Sequence, residues 1–451
     1  MKTKRAPSVR RGISFGTIFM TALTVVVVGL SGAILPRLLG KADFTMDISG
    51  AVSALTLDDA LTALTLSNIP ITDATPTPAP GEHEQAVQEK PAATATPVPT
   101  PTPHPGGKVT LTLGGSVVID ESVRKSAYYS DSKKYDFDDI FVLLADEMQS
   151  DLCLVTLENV TNDAEKVSVL NAPSAVLDSL AEAGVDILAL GHQKALDKGM
   201  ESLRATINEA KNRGMTTLGA YATETDAGTL RMFTVDHVKV AFLHYTESIS
   251  NTGKKQIKSD GIAYALPTTQ GNGAAETMLA DVRNAREQGA DVVVVSINWG
   301  KTASKPTTAQ KTLAQQLADA GADVIVGSGS KTVQPVTWLT GKGDDGSIRH
   351  TLCAWNLASL LTGERNDGNV LSMLLQLQIT FDGDSISFEK VCYTPTYIWR
   401  YKQDSQYYYR IVASDQPAPD GMSDDQVSYM EKALRNLQKY LGESPVTLRT
   451  K

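Results

Sequence analysis

Val292-Val293-Val294-Val295-Ser296-Ile297 is the stretch on which the architecture turns. Successive strand side chains point to opposite faces, so a half-buried strand alternates apolar and polar residues. Here both faces are apolar, the pattern of a central strand covered on each side by helices. Residues 275–288 before it have helical spacing and end at Gly289. Residues 309–320 after it repeat the arrangement and end at Gly321. Glycine suits the left-handed position that closes a helix. A further β-rich run follows at 324–326.

Working outward, the same alternation extends over most of the chain. Strand-like runs fall at 109–113, 152–157, 185–190 and 238–243, and helical runs at 175–183 and 200–213, closed by Gly184 and Gly214. The class is α/β. Beyond Gly346 the style changes. Runs at 371–380 and 385–393 flank Phe381-Asp382-Gly383-Asp384, where Asp-Gly signals a hairpin. At 423–441 a helix is expected, with Ser423 and Gln426 at capping-box spacing. Its apolar face is Val427, Met430, Leu434, Leu437 and Leu441. No internal repeat is present.

The chain has 451 residues, 42% hydrophobic and 21% charged, which is a globular balance. Its formal net charge is −9. A nucleic-acid binder needs a basic surface to neutralise phosphates, so that class is excluded. The charge is uneven. Lys2, Lys4, Arg5, Arg10 and Arg11 crowd the start, and without them 37 basic residues face 51 acidic ones. No charge falls between Arg11 and Arg37. At 1.5 Å per residue, the apolar span at 13–35 is long enough to cross a bilayer. The basic tip places the N-terminus inside. A cleaved signal peptide is the competing reading, but the span is long for one and Ser31-Gly32-Ala33 is a weak cleavage site. Alternating prolines at Thr75-Pro76-Thr77-Pro78 and Pro97-Val98-Pro99-Thr100-Pro101 can neither pair in a sheet nor continue a helix. Such a stalk reaches roughly 3.1 Å per residue.

The expected organisation is therefore a basic tip at 1–12, a transmembrane anchor at 13–35 and a juxtamembrane segment at 36–72. A Pro/Thr-rich linker follows at 73–107, then an α/β domain at 108–412 and a C-terminal helical extension at 413–451. The expected location is the cell membrane, single-pass, with the main domain outside.

In an open α/β sheet, chemistry sits at the C-terminal strand ends and the turns after them. Those turns read Gly114-Gly115, Thr156-Leu157-Glu158-Asn159, Gly191-His192-Gln193-Lys194-Ala195-Leu196-Asp197-Lys198-Gly199, Asn298-Trp299-Gly300 and Gly327-Ser328-Gly329-Ser330-Lys331. Their order and spacing resemble the CapA family of bacterial poly-γ-glutamate capsule synthesis proteins over about 108–397. The best-kept pieces are Ala195-Leu196-Asp197-Lys198-Gly199, Trp299-Gly300 and Ala320-Gly321-Ala322-Asp323-Val324-Ile325-Val326-Gly327. The resemblance implies a metallophosphatase-like four-layer α/β sandwich with a dinuclear metal site, and a role in capsule production.

The departures bear on that site. The family's first turn is Gly-Asp, here Gly114-Gly115. Its Asn-Asn-His is here His192-Gln193-Lys194, and its His-Trp-Gly is Asn298-Trp299-Gly300. Its His-Pro-His is Gly329-Ser330-Lys331, and its later Gly-Asn aligns with Ala358-Ser359. Only Glu158 and Asp197 stand where the pattern has them. Glycine supplies no ligand and an ammonium repels a divalent cation. A family-type metal site is therefore not expected.

Two readings follow. The first is a membrane-anchored, catalytically degenerate binding or scaffold component in synthesis or export of capsule or another anionic surface polymer, with no cofactor. Its partners are the membrane, the polymer and other capsule machinery. Lys194, Ser328, Ser330 and Lys331 are its anion-binding candidates, with Lys194 and Lys331 as fixed charges in the vacated metal positions. Two lysines on surface loops are the simpler alternative. The second reading is a metal-dependent hydrolase or polymer-processing enzyme with a rearranged site around Glu158, His192, Asp197 and Asn298. Elsewhere, His244 and Glu247 lie three apart, but no helical face aligns them. The aromatic run at 393–409, with Arg400 and Lys402, reads either as a glycan- or acid-binding surface or as a closing strand with half-buried tyrosines. Cys353 and Cys392 lie on late strands, and the sequence leaves open whether they pair.

Overall fold

A computed structural model describes residues 105–300, 304–343, 346–366, 368 and 370–449. The tip, the anchor, the juxtamembrane segment and the linker up to residue 104 lie outside the described residues. Among the described residues no helix is long and apolar enough to cross a membrane.

The strands run in chain order. The first seven are β1 (Gly107–Val117), β2 (Tyr128–Tyr129), β3 (Lys134–Tyr135), β4 (Leu152–Leu157), β5 (Ile187–Ala189), β6 (Thr216–Leu218) and β7 (Arg231–Val235). Next come β8 (Val238–Thr246), β9 (Val292–Asn298), β10 (Val324–Ser328), β11 (Gln334–Lys342), β12 (Ile348–Asn356) and β13 (Ser359–Leu361). The last are β14 (Leu371–Phe381), β15 (Ile386–Gln403), β16 (Gln406–Ala413) and β17 (Thr447–Leu448). The main helices are α1 (Ala175–Glu182), α2 (Gly199–Asn212), α3 (Asn251–Asp260), α4 (Ala274–Glu287), α5 (Thr308–Ala320) and α6 (Asp424–Leu441).

Two large sheets result. The first has the order β16-β15-β14-β1-β4-β5-β6, with β13 beside β1 and β17 beside β15. The second has the order β11-β12-β10-β9-β8-β7. Strands β1, β4, β5 and β6 are mutually parallel, as are β8, β9, β10 and β12. Antiparallel strands close both edges of the second sheet and the β16 edge of the first, whose other edge is the parallel strand β6.

Three apolar layers hold the sheets and helices together. Between the sheets lie Leu111, Leu113, Leu154 and Ile187 from one side and Val240, Val292, Val294 and Val324 from the other. On the outer face of the second sheet, Val293, Val295 and Ile325 pack on Met278, Val282, Leu313 and Leu317 of α4 and α5. On the outer face of the first, Val155, Leu157 and Leu188 pack on Leu177, Leu180, Leu203 and Ile207 of α1 and α2. The valine run thus sends alternate side chains into two different cores, which is why it is apolar throughout. The result is a helix–sheet–sheet–helix sandwich, four layers deep.

Local signals act as the sequence requires. Gly184, Gly214, Gly289 and Gly321 close their helices with φ between 82° and 111°. Asp382 turns the β14–β15 hairpin by accepting from the backbone N–H groups of Asp384 and Ser385 at 3.0 and 2.8 Å. Ser423 and Gln426 form the reciprocal capping box of α6. Met430, Ala433, Leu437 and Leu441 of that helix enter the inter-sheet core, and α6 touches β14 and β15 of one sheet and β11 of the other. Residues 424–441 are therefore continuous with the core of the domain at 108–412. Cys153, Cys353 and Cys392 are all buried and free.

Candidate functional site

The parallel strands of both sheets end on a common rim. Two contacts across the sandwich define it. Thr156 Oγ1 donates to Ser328 Oγ at 3.2 Å, and Asn298 Nδ2 donates to Glu158 Oε1 at 3.0 Å. Ser116 Oγ donates to the same carboxylate oxygen at 2.7 Å. Glu158 and Asn298 are thus in direct contact, with Ser116 bonded to the same carboxylate.

His192 and Asp197 sit on the neighbouring β5 turn and make other bonds. The Nδ1 atom of His192 accepts from the backbone N–H of Lys194 at 3.3 Å. Burial pushes the His192 pKa down to about 4; Asp197 opposes the shift and Lys194 adds to it. Asp197 accepts from the Ser250 hydroxyl, and Ser250 caps α3. The loop 192–198 is thereby tied to α3.

His244 belongs to the joint between the sheets. Its Nε2 lies 2.8 Å from the Gly191 carbonyl and its Nδ1 2.9 Å from Ser296 Oγ. A carbonyl only accepts, so Nε2 carries the proton and Nδ1 accepts a hydrogen bond from the Ser296 hydroxyl. Burial holds this ring neutral, with its pKa lowered to about 4; the Gly191 bond opposes the shift and His192 reinforces it. A Cβ at Gly219, where φ is +68°, would lie 2.1 Å from the ring, so the close approach requires glycine. Glu247 is occupied separately by the side-chain amides of Gln270 and Gln310 at 3.1 and 3.2 Å. His244 and Glu247 do not meet in these contacts.

The four anion-binding candidates are placed as follows. Ser328 and Ser330 are buried at the end of β10. Lys331 forms an exposed ion pair with Glu364. Lys194 is exposed and has no ion-pair partner among the described residues. The described contacts do not join the two lysines. Asn356, at the adjacent end of β12, was not foreseen. Its Oδ1 accepts from Ala358 N at 2.8 Å, while its buried Nδ2 has no hydrogen-bond partner.

The resemblance implies a divalent metal pair, and the residues present do not fit one. At Gly115, where the family has a carboxylate, a Cβ would lie 2.0 Å from the Ala358 carbonyl oxygen. That oxygen already accepts from Ser116 N at 3.0 Å. Ala358 has the left-handed φ of +66°, the conformation a family glycine would take freely. The segment after β12 therefore lies directly against the first turn and leaves no room for a side chain there. Among the described residues, no group of three or more His, Cys, Asp or Glu side chains is disposed to hold a metal ion.

The aromatic run forms a hairpin of β15 and β16, turned by Asp404 and Ser405 with φ of 47° and 68°. Tyr397, Trp399 and Tyr409 are buried, and Tyr407 is exposed beneath the Arg400 guanidinium, 4.4 Å from its ring centre.

The fold and the rim place the chain in the class of two-sheet α/β proteins with strand-end sites. It belongs to the family described as bacterial capsule synthesis protein PGA_cap, whose model matches residues 110–360. It is 26% identical over 237 residues to the capsule biosynthesis protein CapA of Bacillus anthracis, covering 49% of this chain and 54% of that protein. It is 25% identical over 189 residues to the PGA biosynthesis protein CapA of Bacillus subtilis, covering 42% and 47%. The chain thus spans about half the length of the curated relatives it matches. Among solved structures it compares with the NAD nucleotidase of Haemophilus influenzae at a TM-score of 0.40 and 13% identity, covering 77% of this chain and 58% of that one. A phosphatase from Mycoplasma pneumoniae gives 0.34 and 11%, covering 64% and 93%.

Proposed function

We propose that this chain is a binding or scaffold member of the capsule synthesis family, held at the membrane by residues 13–35, that engages an anionic surface polymer without hydrolysing it. One observation carries the reading. The Ala358 carbonyl occupies the space that a ligand at position 115 would need. The rest of the rim supports it. Glu158 Oε1 is committed to Ser116 and Asn298, and Asp197 to Ser250. Without a metal-bound hydroxide or a basic histidine against Glu158, the site has no activated nucleophile. The neighbouring turns are polar: Ser328, Ser330, the unpaired Asn356 amide and the Lys194 ammonium suit an acceptor-rich ligand. Lys331 joins them once released from Glu364, and exposed ion pairs of that kind are worth little.

Purified protein is expected to hold less than one equivalent of divalent metal and to show no metal-dependent phosphoesterase turnover. Oligo-glutamate is expected to raise its melting temperature, and less so in Lys194→Ala. Turnover that disappears in Glu158→Gln and Asp197→Asn would overturn this reading in favour of the rearranged hydrolase. Equal thermal shifts in wild type and Lys194→Ala would remove the polymer from this rim.

A further inference from the structure

Away from the rim, a cleft of about 590 Å³ opens at the β7–β8 edge of the second sheet. One wall is α4. Thr277, Asp281 and Asn284 stand at i, i+4 and i+7 along it, so they share one helical face, and all three line the cleft. The other walls bring three aromatic rings: Tyr245 from β8, Tyr221 from the turn after β6 and Tyr264 from the segment before residue 266. A volume of this size accommodates a small organic molecule.

The charges in this cleft are unequal in availability. The Arg231 guanidinium is spent. It pairs with Asp226, donates to the Asp226 and Thr229 carbonyls, and lies 5.4 Å from the centre of the Tyr221 ring. Asp281 is the opposite case. Its Oδ2 accepts from the Tyr245 hydroxyl at 2.7 Å, and it has no cationic partner among the described residues. Burial raises its pKa, and only the Tyr245 bond counters that shift. A carboxylate drawn out of water with nothing opposite it is a destabilising feature unless something positive completes it. The Thr277 hydroxyl already donates to the Gly273 carbonyl at 2.9 Å, so it faces a ligand as an acceptor. The lining thus offers one unpaired carboxylate, a hydroxyl acceptor and aromatic rings, while its one guanidinium is already paired. Aromatic rings favour cations on their faces. One carboxylate is too small an oxygen set for calcium or magnesium, which take six or more ligands. A primary ammonium has three donors and a single charge.

We propose that this cleft binds the primary ammonium group of a small polar molecule, with Asp281 as its counter-ion and Thr277 as a further acceptor. The site is independent of the strand-end rim, so it stands or falls without the polymer-binding reading. An amino sugar and a free amino acid or diamine carry the same group, and the probes separate them.

The test is calorimetric titration of the full chain at low salt with glucosamine, L-lysine and 1,5-diaminopentane, with N-acetylglucosamine as the uncharged control. At least one amine is expected to bind saturably, and the control not at all. Glucosamine alone identifies an amino sugar; lysine or the diamine identifies an alkylamine. Asp281→Asn keeps an acceptor for the Tyr245 hydroxyl and removes the charge. It is expected to weaken binding at least tenfold while leaving the melting temperature within a few degrees of wild type. No binding by any amine at millimolar concentration, equal binding of the acetylated control, or unchanged affinity in Asp281→Asn would each overturn the proposal. Should Asp281→Asn unfold, Thr277→Val supplies the second readout. Weakened binding there supports the site, and wild-type affinity overturns the role of this helical face.

Discussion

Acidification from pH 7 to pH 4 is expected to weaken the fold by several kcal/mol, and His192 and His244 are expected to account for much of it. Both rings are buried and both have folded pKa values lowered to about 4 from 6.5. Between those two values the unfolded chain binds protons that the folded chain refuses. Stability therefore rises with pH across that window and is lost as pH falls through it. A shift of that size corresponds to roughly 3 kcal/mol for one histidine, and the two rings repel when both are charged, so their contributions are coupled. Protonating His244 would also place a second N–H where Ser296 now donates. The check is a series of urea midpoints between pH 7 and pH 4 for wild type, His244→Gln and His192→Asn. Asp186, Asp281 and Asp323 have raised pKa values and contribute with the opposite sign. The informative quantity is thus the difference in slope between wild type and variants. Identical slopes would show that the histidines do not control the acid limit.

Restoring the family's carboxylate with Gly115→Asp is expected to damage the protein rather than revive a metal site. The new Cβ would sit 2.0 Å from the Ala358 oxygen and 3.0 Å from its carbonyl carbon, both backbone atoms. The segment cannot yield by rotating a side chain. It must break the Ser116 N–H to Ala358 bond and the parallel pairing of Ser116 with Ser359. Overpacking and burial of an unpaired carboxylate together cost roughly 3–6 kcal/mol. Gly115→Ala should show the steric part alone. Metal binding by Gly115→Asp at wild-type stability would mean that the segment over the first turn is pliable, and the reading of a closed site would fail.

How much of this was legible in the sequence depends on how local the cause is. The valine run, the closing glycines and the Ser423–Gln426 cap act within one or two turns of chain, and the elements they mark lie where expected. Strand β11 carries Pro335 and has an irregular pattern because it is an edge strand, and it was not anticipated. In sequence the β15–β16 hairpin looks like a single closing run because its turn uses Asp404 and Ser405 in place of the usual glycine. At the rim, sequence position identified the right turns because topology gathers strand ends. It could show that Gly115 lacked a carboxylate, but not that a carbonyl 243 positions later had filled the gap. The Lys331–Glu364 pair and the Ser250–Asp197 bond were hidden for the same reason. Both are made by residues whose proximity only the completed sandwich creates.

The position of α6 has a consequence for synthesis. Strand β1 needs β14 as a neighbour, and the apolar layer between the sheets is finished only when Met430, Leu437 and Leu441 arrive. A nascent chain therefore carries an unfinished inter-sheet layer until residues 430–441 have left the ribosome. Leu111 and Leu113 gain β4 as a neighbour early, but the apolar face they share with Val292 stays open until β14 and α6 follow. Closure of that layer is expected to wait for segments far apart in the chain, and until they meet the exposed apolar runs must be kept from associating.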